Sequence, residues 1–248
     1  MKLPRHLSLP LLIIAGIFAV GTGPRAWGQA PVSPGSAPAS SLNDQGVFQL
    51  FLAGRRIGSE KFEIQSTADQ TSAKAETEFQ TEKGQKPVLI KTSSGMVLNT
   101  QLVPLTYNWS MKSPQASSLE ADFRSQPAKL RYRTVTGEVD ERDFSLLPDI
   151  VLLDNNVFHH FELLAERYRL TPGGKQVFRA FVPQDALPGE LSVEGKGKET
   201  VKIRGQSEEL QHLVVTTELA QIDLWLDDQR HLQRVLIGAA QLEAVRER

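Results

Sequence analysis

The sequence predicts a mainly β protein: a curved antiparallel sheet, half-barrel or clam-like, of roughly a dozen strands with one inserted amphipathic helix. Three observations predict it. Apolar residues recur with period two along most of the chain. Turn signals punctuate it about every 8 to 12 residues, the spacing of a meander. Over one stretch only, 154–169, the period changes to that of a helix.

The first strands form a hairpin. Val47 to Ala53 is a compact apolar run, Gly54 turns the chain, and Arg56 to Ser66 answers it with Glu60, Phe62 and Ile64 on one side. Ala73 to Glu82 alternates strictly, with Ala75, Thr77, Phe79 and Thr81 against Lys74, Glu76, Glu78 and Gln80, so one sheet face is wet. Lys83-Gly84 turns it into Val88, Ile90 and Thr92. Tyr107 and Trp109 then share a face with Leu105 and Met111, and runs at 119–123 and 130–134 continue the meander.

The helix reads DNNVFHHFELLAERY. Val157, Phe158, Phe161, Leu164, Ala165 and Tyr168 form one apolar stripe. His159, His160, Glu162, Glu166 and Arg167 are assigned to the wet side. Asp154 is the expected cap, with Asp149 as the alternative if a further turn precedes it, and Thr171-Pro172-Gly173-Gly174 stops the helix. Strands resume with Val177 to Pro183, the runs around Leu191, Val201 and Leu213, Ile222 to Leu226, the polar turn Asp227 to Arg230, and Leu232 to Val245.

Ahead of this domain, placed at 46–248, residues 1–30 read as a signal peptide. Lys2 and Arg5 precede the apolar run Leu7 to Val20, and Gly28-Gln29-Ala30 offers small residues for cleavage after Ala30. The run is about 14 residues, against roughly 20 for a spanning helix, and Pro10 and Gly16 interrupt it; an uncleaved anchor is the alternative. A periplasmic or extracellular location is therefore expected, with no transmembrane segment after cleavage. Residues 31–45, PVSPGSAPASSLNDQ, read as a flexible linker rich in Pro, Ser and Ala. The chain has no cysteine, which excludes disulfide stapling and a lipid-modified N-terminal cysteine. The leader holds three of the 28 basic residues and none of the 29 acids, so the remainder is more acidic than the formal net charge of −1. That sign argues against a nucleic-acid partner.

No catalytic motif emerges. There is no Gly-x-Ser-x-Gly elbow, and Ser93-Ser94-Gly95 is a weak stand-in. Glu76 with Glu78 and Asp227 with Asp228 are carboxylate pairs, more simply a solvated strand face and a hairpin tip. His159 and Glu162, three apart, share a helix face, but a zinc site needs further ligands, so neither metal nor cofactor is expected. The aromatics are more suggestive. Core packing is their plainer role; the alternative is a pocket wall between sheet and helix. Tyr107, Trp109, Phe158, Phe161 and Trp225 are the candidate wall residues.

The opening Gly54-Arg55-Arg56-Ile57-Gly58-Ser59-Glu60-Lys61-Phe62 and the terminal Trp225-Leu226-Asp227 resemble a group of secreted bacterial domains of unknown function with a curved β half-barrel related in shape to the LolA and LolB lipoprotein carriers. The resemblance implies an apolar cavity under a helical lid, and a non-enzymatic protein that binds a lipid or acyl chain. A structural or protein-interaction module of the cell envelope, with an envelope protein as partner, is the alternative.

Overall fold

The structure, a computed structural model, describes residues 42–83 and 86–247. The expected leader, its Ala30 cleavage site and residues 31–41 of the expected linker lie outside the described residues. The linker's last residues belong instead to the fold: Leu42 is buried and Asp44 opens the first strand, because a core contact and an ion pair hold residues that read as polar tether.

Mainly β is the architecture found, and the described residues hold one α-helix and fifteen strands. They run β1 Asp44–Leu52, β2 Arg55–Ser66, β3 Gln70–Lys83, β4 Lys86–Asn99, β5 Pro104–Ser113, β6 Ser117–Asp122, β7 Ala128–Arg133, β8 Val139–Phe144 and β9 Ile150–Leu152. After α1, His160–Arg167, follow β10 Lys175–Val182, β11 Leu187–Ile203, β12 Gln206–Thr216, β13 Gln221–Leu226, β14 Leu232–Ile237 and β15 Leu242–Arg246. All belong to one sheet, ordered β8-β7-β6-β5-β4-β3-β2-β1-β15-β14-β13-β12-β11-β10-β9. Two meanders thus join where the first strand pairs with the last, Leu50 opposite Ala244. Every ladder is antiparallel except β9 with β10, whose crossover contains α1; a parallel pair needs such a crossover.

The order has a geometric consequence. β8 and β9 are consecutive in the chain yet form the two edges of the sheet. Laid flat at ~4.8 Å per strand, those edges would stand about 65 Å apart. The connection from Phe144 to Ile150 can span no more than about 20 Å. The sheet must therefore curl until its edges meet, with α1 inside. It does so without closing, since no ladder joins β8 to β9. Side chains close the seam instead. Tyr132 on β7 donates its hydroxyl to the Pro183 carbonyl at 2.9 Å. Phe144 and Phe123 pack on Phe181 of β10, at centroid distances of 5.3 and 6.2 Å.

One large core fills the concave side, from Phe48, Leu50 and Phe62 at the centre of the sheet to Phe158, Phe161 and Leu164 of the helix. A second, small cluster of Val201, Ile203, Leu210, Trp225 and Val245 lies apart from it. By strand alternation it sits on the outer face, since Leu224 and Leu226, the neighbours of Trp225, belong to the inner core. Among the described residues no helix is long and apolar enough to cross a membrane.

Gly58 fixes how β2 and β3 approach. A Cβ there would collide with the Glu78 carbonyl and with Phe79 Cα at 2.5 Å, so backbone rather than a movable side chain blocks it. Gly54, in the preceding turn at φ +76°, has open space around it. Gly58→Ala is therefore expected to destabilise the fold by about 3 kcal/mol, and Gly54→Ala by about 1 kcal/mol. Urea unfolding of both variants checks this; equal losses would mean that the β2–β3 approach does not depend on Gly58.

Candidate functional site

The candidate site is the interior where α1 meets the sheet. The helix is eight residues long, and a helix that short is marginal alone. It starts at His160 rather than near Asp154, and no side chain of its own caps it. The sheet supplies the caps. Glu60 of β2, on the same side as Phe62 and Ile64, is fully buried, and its carboxylate accepts the backbone N–H of Phe158 at 2.9 Å and of His159 at 2.8 Å. Thr77 donates its hydroxyl to the same carboxylate at 3.3 Å. A negative charge on the first amides of a helix is the favourable arrangement for its dipole. At the other end Arg230 donates to the carbonyls of Ala165 and Tyr168 and pairs with Glu166 at 2.9 Å, placing a cation on the C-terminus.

Asp154 does a different job from the expected helix cap. Its Oδ2 accepts the Tyr107 hydroxyl at 2.6 Å, and its Oδ1 accepts the backbone N–H groups of Asn155 and Gln184 at 3.0 and 3.1 Å. It therefore ties β5 to the segments flanking α1, across the seam. Burial pushes its carboxyl up from 3.8 to about 6, although the hydrogen bonds from Tyr107 and Gln184 oppose the rise. The Tyr107 hydroxyl is raised well above 10, by burial and by the Asp154 charge, and stays a donor.

The histidines are where the structure corrects the sequence reading. His159 and His160 are not on a wet face but buried, at 0% and 1% exposure. Glu162, also placed on that face, is 0% exposed. The reason is that α1 lies inside a curled sheet and has almost no wet side. His159 Nδ1 lies 3.2 Å from Glu60 Oε1, and its ring stacks on Phe62. His160 Nδ1 accepts the Asp154 backbone N–H at 3.3 Å. Glu162 accepts the Leu232 N–H at 3.2 Å and lies 3.8 Å from Arg246. Burial and the nearby Asp44 push the Glu162 carboxyl well above its usual 4.5. Burial acts on Asp44 too, but Arg246 outweighs it and holds Asp44 below 3.8. The two carboxyls are thus pushed apart, Glu162 up and Asp44 down. Arg246 also lies over the Phe62 ring at 5.3 Å, and a Cβ on Gly46 would touch its guanidinium.

Of the candidate wall residues, Tyr107, Trp109, Phe158 and Phe161 come together in the main core. Trp225 does not. It lies in the outer cluster, with its Nε1 donating to Glu199 at 2.6 Å, its ring stacked on His212, and Arg234 over it at 4.7 Å. Both faces of β13 are covered, so its alternation gave no sign of which face is inner. A depression of about 540 Å³ follows β5 and β6 and takes in Tyr107 and Trp109 with Thr106, Asn108 and Glu120; no helix residue lines it. Among the described residues no group of three or more His, Cys, Asp or Glu is placed to hold a metal ion.

No family model and no curated protein matches this chain. The crystal structure of a DUF1089 family protein from Pseudomonas aeruginosa is similar at 10% identity and a TM-score of 0.42, over 70% of this chain and 86% of that one.

Two results are expected from these contacts. Glu60→Ala leaves two buried amides without an acceptor and should cost about 3–5 kcal/mol in urea unfolding, with Glu60→Gln losing less; equal stability of all three proteins would remove Glu60 as the helix anchor. For Asp154, the raised carboxyl means that the folded state binds a proton more tightly than the unfolded chain. Its contribution to stability therefore grows as pH falls from about 6 towards 4 and is absent above that window. Relative to Asp154→Asn, the native protein should gain about 3 kcal/mol between pH 7.5 and 3.5. A pH-independent difference between the two would show that Asp154 is not buried as a charge.

Proposed function

We propose that the protein binds an apolar molecule, a lipid or acyl chain, in the interior that α1 fills, and that it does so without catalysis, outside the cytoplasm after cleavage of its signal peptide. The observation that supports this is the seam. Fourteen ladders hold the fifteen strands, but the edges meet through a few side chains alone. Parting them breaks no ladder hydrogen bond. The element inside is a short helix whose side-chain caps come from a strand and a hairpin turn, so it leaves as a unit once those caps are released. Beneath it the sheet offers Phe48, Phe62, Tyr107 and Trp109. Val139 on β8 and Leu147 on the β8–β9 connection are exposed at 41% and 37%, giving the seam an apolar rim. Burial of an acyl chain against such a wall is worth roughly 25 cal/mol per Å² before ordering costs.

Native mass spectrometry of protein taken gently from its host's envelope is expected to show an added mass that extracts as a lipid. In solution, brominated dodecanoic acid should quench Trp109 and not Trp225, so Trp225→Phe keeps the quenching and Trp109→Phe loses it. Tyr132→Phe removes one seam hydrogen bond, worth about 1 kcal/mol, and should speed association roughly fivefold. A bare mass with no quenching would overturn the reading. It would favour a protein-interaction module docking on the free edge of β8, where Val139 to Asp143 are all exposed.

A further inference from the structure

His159 and His160 carry an unused polar pair. The Nε2 atoms of both are buried and have no hydrogen-bond partner among the described residues. The rings are neighbours, with centroids 4.7 Å apart and an interplanar angle of 72°. Their other nitrogens fix what each Nε2 is, because in a neutral imidazole one nitrogen donates and the other accepts. His160 Nδ1 faces the Asp154 backbone N–H and must be the acceptor, which puts the ring hydrogen on Nε2. Burial pushes the His160 pKa well below 6.5 and so keeps that ring neutral. His159 Nδ1 faces the Glu60 carboxylate, which already accepts two amides, so it must carry the hydrogen. In the tautomer that carries its hydrogen on Nδ1, the Nε2 is a lone pair.

The two free nitrogens are therefore opposite in kind, one donor and one acceptor, on adjacent rings. A hydroxyl oxygen seated between the rings would accept from His160 and donate to His159. We infer that the two histidines form a binding site for one O–H group. Two sources share that chemistry: an internal water, or the hydroxyl or protonated carboxyl end of a bound amphiphile. Leaving both nitrogens unmet would cost about 1–3 kcal/mol each, and buried polar pairs of this kind are the usual seats of internal water. The amphiphile source rests on the function proposed above; the site itself does not.

The test is ¹⁵N–¹H spectroscopy of the histidine rings in the protein without residues 1–30 at pH 7.5, assigned by removing His212 and His231 in turn. The expected result is a pair of buried rings in opposite tautomers, hydrogen on Nδ1 of His159 and on Nε2 of His160. Two identical tautomers, or a doubly protonated His159, would overturn the inference. An exchange-resolved cross-peak from the His160 ring N–H to water identifies water as the occupant. Dodecanoic acid that shifts both Nε2 resonances and removes that cross-peak, where dodecane does neither, identifies the amphiphile. Opposite tautomers with neither a water cross-peak nor a shift on adding the acid would also overturn it. Failure of the acid to quench Trp109 would count against the proposed function alone.

Discussion

The carboxylate of Glu60 on the amides of Phe158 and His159, at the entry to α1, is the contact from which the rest of the interior follows. An eight-residue helix cannot hold itself together in water, and a buried one cannot leave its terminal amides and carbonyls to solvent. Local backbone meets some of them, and side chains from outside the helix must meet others. Glu60 on β2 serves one end and Arg230, in the turn before β14, serves the other. These residues are far apart in sequence and lie on opposite sides of the β1–β15 pair. The helix therefore bridges the two meanders. Arg246 adds a third tie, from the last strand to Asp44 of the first. The opening hairpin is built around this contact: Gly58 lets β3 come close, Glu60 caps the helix, and Phe62 stacks on His159 and on Phe48.

Curling of the sheet and burial of the helix are one event. The chain must cross from β8 to β9 in five residues, so the edges cannot separate widely, and the space they enclose has to be filled. With the helix inside, the edges find few partners, and the seam is left to Tyr132, Phe144, Phe123 and Phe181. β8 manages its free edge with charge, Asp140, Glu141, Arg142 and Asp143, which discourages pairing with other strands. β9 is three buried residues, too short to offer a long edge.

Much of the sheet was legible because one face is wet and one is dry. Strict alternation in β3 and the shared side of Glu60, Phe62 and Ile64 in β2 both survive in the structure. The helix was legible in place and amphipathic stripe, but its wet side was not there to read: inside a curled sheet His159, His160 and Glu162 are as buried as Phe161. Periodicity reports contrast between faces, and an element covered all round has none. The same limit explains Trp225, on a strand covered on both faces. It explains the strand count as well, since β8 has no apolar alternation at all and β9 was readable as the start of the helix. The long β11 read as two runs because Gly195 and Gly197 carry a bulge rather than a break.

Three acids around the helix and one on it lie in this core, and each is tolerated by a different device. Glu60 spends its charge on helix amides. Asp154 meets a tyrosine and two backbone amides, and is still pushed up to about 6. Asp44 takes the guanidinium of Arg246, and burial with Asp44 beside it pushes the Glu162 carboxyl up. Buried charges with partners on separate elements add little net stability, yet removing any one partner is expensive. Such an interior stays closed while all of its contacts are made together. If the seam parts, as the proposed function requires, it gives way as a group, because the caps of the helix, the tie to Tyr107 and the buried acids share the same few elements. The backbone ladders that run through the sheet between its two edge strands are not made by any of them. A helix held by conditional contacts inside a sheet held by unconditional ones is the arrangement in which the contents exchange more readily than the shell.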